Sequence, residues 1–142
     1  MEDEKKIDEL VKTATTAELE GLDFLSDFGY DELAREYNGI GPEWAGAEVR
    51  EKITAHLSLF EPAALIHDMR NFKSDGLRRA FDRANDEFLH NCLKLADAAY
   101  PWYSWKRYRA RAAAHLAYDF VAGPGGWKAW RDCWEKRCCV EV

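Results

Sequence analysis

The chain of 142 residues has no apolar run near the roughly 18 residues that cross a bilayer, which argues against a membrane-spanning helix. Low-complexity tracts and a clear internal repeat are also missing, so neither a disordered linker nor a solenoid is expected. Cysteine is scarce: Cys92 falls in a helical pattern, and Cys133, Cys138 and Cys139 crowd the C-terminal end. The paired C-x-x-C spacing and nearby histidines of a zinc site are absent, so the thiols read as free and reduced. Adjacent Cys138 and Cys139 form the one pair suited to oxidation or an intermolecular bridge. The opening residues Met-Glu-Asp-Glu-Lys-Lys are the opposite of a secretory leader, and the expectation is a protein that stays in a cytosol.

What is present suits one globular domain, since 47% of residues are hydrophobic and a chain this long can bury a core. The net charge of −6 is uneven: residues 1–36 carry twelve acidic against four basic side chains, and the remainder is slightly positive. That acidic end argues against a simple nucleic-acid binder.

The chain is organised around Glu61 to Phe72 and the longer segment Leu77 to Tyr100. Pro62 suits a first helical turn, where its missing N–H is not needed, and Ala63, Ala64, Ile66 and Met69 supply an apolar face. In the second segment Leu77, Phe81, Ala84, Phe88, Cys92 and Ala96 recur at helical spacing. The Lys-Ser-Asp-Gly break between them is short, so the two helices must lie side by side and antiparallel. Counting outward from the turn puts His67 roughly opposite Asp82, with Asn85 and Asp86 within about a turn. Side chains of adjacent helical residues diverge by about 100°, so Asp68 needs a partner of its own. Upstream, Tyr37-Asn38-Gly39-Ile40-Gly41-Pro42 has two glycines that let the backbone curl and its carbonyls converge, and carbonyls with one carboxylate suit calcium.

Tyr37-x-Gly39-x-Gly41 followed by a helix with His67-Asp68 resembles the calcium loop and His-Asp helix of phospholipase A2 enzymes, including the reduced version in parvovirus capsid proteins. Ala84-Asn85-Asp86-Glu87-Phe88 is similar to the Ala-Asp-x-x-Phe segment of viral and phage-type members. From Asn38 to Trp130 the layout resembles small phospholipase A2-like proteins of phages and prophages. The resemblance implies an all-α fold, a phospholipase A2-like antiparallel helix pair with further helices packed at both ends. It implies His67 as general base with Asn85 or a neighbouring Asp holding the imidazole, and calcium on Asp68 and the carbonyls of Tyr37, Gly39 and Gly41. Asn85 stands where the family has a histidine-supporting Asp, and Asn71 where it usually has Tyr. Asn38, Ala63 and Ala64 replace the cysteines of the secreted enzymes. Two functions follow. The first is a degenerate scaffold, phage- or prophage-encoded, that binds a host or virion protein in a bacterial cytoplasm or a virion. The second is a calcium-dependent ester hydrolase.

Around that core, residues 1–36 read as acidic helices, 37–132 as the phospholipase A2-like core and 133–142 as a tail. Thr15 with Glu18 makes a capping box for a helix through Leu25, and Asp31 caps a short helix ending near Tyr37. This acidic part is either a solvated cover or a partner-binding face. Val49, Ile53, Leu57 and Phe60 suggest a helix over 47–60, beside which His56 reads as a surface histidine. After the Tyr100-Pro101-Trp102 break a helix runs to about Ala122, with Tyr108, Ala112, Leu116 and Phe120 expected to pack inward. It carries Lys106, Arg107, Arg109 and Arg111, and no acidic residue lies between Asp97 and Asp119. Trp102, Trp105, Arg107 and Arg111 are the candidate partner-binding residues, suited to a membrane headgroup surface and equally to stacking on nucleic acid or to an acidic protein. The alternative is that both tryptophans are core. Gly123-Pro124-Gly125-Gly126 reads as a helix stop and turn, lacking the lysine and context of a phosphate loop. A last helix with Trp127, Trp130 and Trp134 closes the core.

Overall fold

The computed structural model describes residues 2–37 and 56–141, which form seven helices and no strand. In chain order they are α1 (Glu2–Thr16), α2 (Leu22–Leu25), α3 (Tyr30–Glu36), α4 (Leu57–Phe72), α5 (Arg78–Ala99), α6 (Trp105–Val121) and α7 (Pro124–Glu141). The all-α expectation is met. Gly39, Gly41 and most of the helix expected over 47–60 lie outside the described residues.

α4 is the centre. Residues Pro62 to His67 are buried in succession, and the helix touches α1, α2, α3, α5 and α7. A helix apolar on every side is stable only when surrounded, and Phe60, Leu65, Ile66 and Met69 are essentially inaccessible. Because α4 begins at Leu57, Pro62 lies inside the helix rather than in its first turn. The carbonyl of Ser58, four residues back, therefore lacks its helical donor.

α5 is amphipathic in the ordinary way, with Phe81, Ala84, Phe88, Cys92, Leu95 and Ala96 on its buried stripe. It returns along α4 after the short 73–77 connection. Ser74 pins that connection: its buried hydroxyl donates to the Trp130 carbonyl at 2.8 Å and accepts from the Gly76 N–H at 3.1 Å. Gly76 has φ of +73°, and a Cβ there would lie 2.5 Å from the Trp134 ring, so the corner needs glycine twice over. Trp130 joins Phe81 and Ala84 in a small second core, with Trp127 packed on it.

α6 lies on α5 through small residues, Ala110, Ala113, Ala114 and Ala117, with Val121 at the end. This corrects the expected inward set: Tyr108 is 70% exposed, Ala112 is exposed, and Leu116 and Phe120 are only half-buried. Alanines let two backbones approach closely, and a row of large side chains on that face would hold them apart. Ser104, rather than the Tyr100-Pro101 break, starts the helix, its hydroxyl accepting from the Lys106 N–H.

Gly123-Pro124-Gly125-Gly126 is likewise more than a turn. Pro124 is the first residue of α7, a position its fixed φ suits, and Gly125 and Gly126 are helical. α7 runs on through 133–141 without a break at the expected tail boundary.

In the acidic part the Thr15–Glu18 capping box does not form. Thr15 lies in the last turn of α1, its hydroxyl donating to the Val11 carbonyl, and Glu18 takes φ of 55°. The helix expected to follow shrinks to Leu22–Leu25. α3 starts at Tyr30 after Gly29, without a side-chain cap from Asp31. The 17–21 connection is instead held by the buried amide of Asn91, which accepts from the Glu20 N–H at 2.7 Å and donates to its carbonyl at 2.9 Å. One core side chain thereby satisfies both backbone groups of Glu20, which no helix supplies with partners.

Candidate functional site: an imidazole between two amides beside an apolar cavity

His67 sits in the buried run of α4, 8% exposed, with its ring against Phe88 at 4.9 Å between centroids. Of the three candidates on α5, Asn85 faces it, with Nε2 and Oδ1 2.9 Å apart. Asp82 instead pairs with Arg78, one turn away on its own helix, and Asp86 accepts from the Tyr118 hydroxyl. The short register of the α4–α5 hairpin places Asn85, and Asp82 and Asp86, three residues before and one after, fall on the exposed side of α5.

An amide oxygen accepts only, so contact with Oδ1 fixes the tautomer that carries its proton on Nε2. Nδ1 is left with the lone pair, and the Asn71 amide nitrogen lies 3.4 Å from it, in position to donate. Burial lowers the His67 pKa below the ordinary 6.5, and the hydrogen bond to Asn85 offsets only part of that fall. The imidazole is therefore neutral at pH 7. The Asn85 Nδ2 is buried without a partner among the described residues, so this contact is not a fully satisfied network.

His67, Asp68 and Asn71 share the wall of a cavity of about 550 Å³. Ala64, Phe88, Phe120 and Val121 make its apolar body, and Asp119 and the Gly123–Gly126 corner complete it. The corner comes in so closely that a Cβ on Gly126 would lie 1.9 Å from the Val121 carbonyl oxygen. Only glycine permits that approach. The shape and chemistry fit an apolar chain with a polar group near His67.

Asp68 is half-buried at the same cavity. Tyr37 ends α3 nearby, its hydroxyl donating to Glu61 Oε1 at 3.2 Å, and Glu61 is also paired with Lys6. Burial pushes the Tyr37 phenol well up, and the negative charges of Glu61 and Asp68 add to the rise. The Tyr37 phenol is thus close enough to Asp68 to feel its charge. Gly39 and Gly41 lie outside the described residues, so Asp68 and the Tyr37 carbonyl are the described members of the expected calcium set. Among the described residues no three His, Cys, Asp or Glu side chains gather to hold a metal.

The candidate partner-binding residues divide. Trp102 and Trp105 are 78% and 79% exposed, which removes them from the core, and Tyr103 and Tyr108 extend the same surface. Arg107 and Arg111 both bind Asp97, at 2.9 and 2.8 Å, and so fasten α6 to α5 as much as they face solvent. Asn71 and the 123–126 corner are site residues whose roles the sequence reading did not assign. Asn71 was legible, since a residue four positions from His67 on a helix shares its face. The corner was not, because its place beside α4 depends on how α7 packs.

Fold and site together define an all-helical protein whose central helix offers a neutral, amide-held imidazole to an apolar cavity. Comparison with known proteins finds no matching family model, curated protein or solved structure.

Proposed function

We propose that the chain is a degenerate phospholipase A2-like protein, phage- or prophage-encoded, that acts by binding a host or virion protein. The observation that carries this reading is the bracketing of His67 by two neutral amides, Asn85 on Nε2 and Asn71 on Nδ1. A working general base needs its lone pair open to water and gains from a negative charge that stabilises the imidazolium. Here the lone pair faces an amide donor, and Asn85 orients the ring without charge. The histidine then serves as a buried strut between α4 and α5. The exposed aromatics Trp102, Tyr103, Trp105 and Tyr108 supply a contact surface of the kind enriched in interfaces.

A second reading, a calcium-dependent ester hydrolase, is favoured by one observation, the open apolar cavity on the Nδ1 side of His67. In it Asn71 swings aside, Nδ1 takes a proton from water as the water oxygen attacks an ester carbonyl, and the imidazolium gives that proton to the departing alkoxide as the ester C–O bond breaks. A calcium ion on Asp68 and the carbonyls of Tyr37, Gly39 and Gly41 would stabilise the oxyanion.

Calorimetric titration of calcium separates the two. The binding reading expects no heat and no rise in melting temperature up to millimolar calcium. Binding that Asp68→Asn abolishes would overturn it in favour of the hydrolase. For the contact surface, the double variant Trp102→Ser, Trp105→Ser is expected to keep its stability within about 0.5 kcal/mol, as for other exposed substitutions, while losing the partner in a pull-down. Retained capture by the double variant would remove the aromatic surface from the account.

A further inference from the structure

Resting on the reading of the aromatic corner between α5 and α6 as the contact surface, we propose that this corner docks the protein on an anionic lipid bilayer. Trp102, Tyr103, Trp105 and Tyr108 follow one another closely there, each 70% exposed or more. The rings are held out rather than left loose. The Ser104 N–H donates to the Pro101 carbonyl at 3.0 Å, and the Ser104 hydroxyl accepts from the Lys106 N–H, so a hydrogen-bonded turn leads straight into α6. Behind the rings Arg107 and Arg111 tie α6 to Asp97 of α5. Trp102 meets Tyr103 edge-on at 5.7 Å between centroids and Trp105 meets Tyr108 at 6.0 Å, so the exposed rings pair with one another.

Composition and charge point to lipid. Between Pro101 and Arg111 the large apolar side chains are all Trp or Tyr, with no Leu, Ile, Val, Met or Phe among them. An apolar ring with a polar tip settles at the depth of lipid headgroups. Lys106 and Arg109 are exposed beside the rings and have no carboxylate partner among the described residues. No acidic residue lies between Asp97 and Asp119, so this region is locally positive in a chain whose net charge is −6. Cations next to interfacial aromatics complement anionic headgroups. The shape agrees. These rings line neither the His67 cavity nor the smaller one near Arg70, and exposure this high marks a convex surface. A protein would need a pocket for each anchoring ring, whereas a fluid headgroup layer takes all four at once.

The corner is also far from His67. The residues of α6 that line that cavity are Asp119, Phe120 and Val121, in its last turn, and at roughly 1.5 Å per residue they lie about 20 Å along the helix from Trp105. Docking through the corner therefore attaches the protein without delivering lipid to the imidazole.

The test is flotation of the full chain with vesicles of phosphatidylcholine and phosphatidylglycerol in equal parts, and with vesicles of phosphatidylcholine alone, read together with tryptophan emission. The mixed vesicles are expected to carry the protein and shift its emission to the blue, and the neutral ones to bind it at least tenfold more weakly. Trp102→Ser, Trp105→Ser should lose the blue shift and at least tenfold in partition. Lys106→Gln, Arg109→Gln should lose about tenfold on the mixed vesicles, as two cations near a charged surface imply. Both double variants change exposed positions, so an unchanged melting temperature is expected of each. Absence of flotation, equal partition into both vesicles, or partition untouched by the tryptophan variant would overturn the proposal. Absence of flotation together with loss of the protein partner by the tryptophan variant would overturn the lipid alone, and leave the corner as a contact for protein.

Discussion

Gly126→Ala is expected to lower the unfolding free energy by about 3 kcal/mol, near the top of the usual range for overpacking. Two effects oppose each other. Alanine is the better helix former by roughly 1 kcal/mol, and Gly126 is helical. Its added methyl, however, would lie 1.9 Å from the backbone oxygen of Val121, which cannot rotate away as a side chain could. The clash wins, and α7 must move off the end of α6. Because Gly126 lines the cavity beside His67, the displacement also changes that cavity, whereas Gly125→Ala, with nothing within 4 Å of its added carbon, is the matched control. Chemical denaturation of the three proteins checks this. Equal stability of the two alanine variants would mean that α7 does not approach α6 as described.

Asn85→Asp is expected to reverse the sign of the pH dependence contributed by His67. In the parent chain burial depresses the folded pKa below 6.5. The stability this contributes is fully present above the unfolded value and is lost as the pH falls toward the depressed folded one. A carboxylate on Nε2 raises the folded pKa instead. The contribution is then fully present below the unfolded value and lost as the pH rises through the folded one. One proton sets a ceiling of about 1.4 kcal/mol per pH unit on either slope. Denaturation curves between pH 5 and 8 for the parent chain, Asn85→Asp and His67→Gln isolate the term, since the last variant removes it and leaves that of His56. Parallel slopes in the parent chain and Asn85→Asp would show that residue 85 does not set the state of His67.

Much of this arrangement is legible in the sequence where local pattern and topology agree. Spacing alone gives α5, because Phe81, Phe88 and Cys92 repeat on one stripe. The four-residue break forces the hairpin that brings position 85 to His67. Legibility fails where a tertiary contact outweighs the local pattern. Tyr108 and Ala112 have helical spacing with Leu116 and Phe120, but the alanine stripe one step round the helix makes the closer packing. Thr15 and Glu18 have capping-box spacing, but Asn91 on a helix more than 70 residues away holds that connection through Glu20. Pro124 and the glycines after it read as punctuation because nothing local shows that α6 and α7 meet there. At the site, residue identity named His67, Asp68 and Asn85, and only packing distinguishes Asn85 from Asp82 and Asp86.

The account turns on His67 being a held, idle imidazole, and the most direct measurement is hydrolysis of a dispersed short-chain phospholipid with millimolar calcium by the parent chain and by His67→Gln. The account predicts that both release fatty acid at the rate of buffer alone. Calcium-dependent release by the parent chain that His67→Gln abolishes, with the variant folded, would contradict it and make His67 a working base.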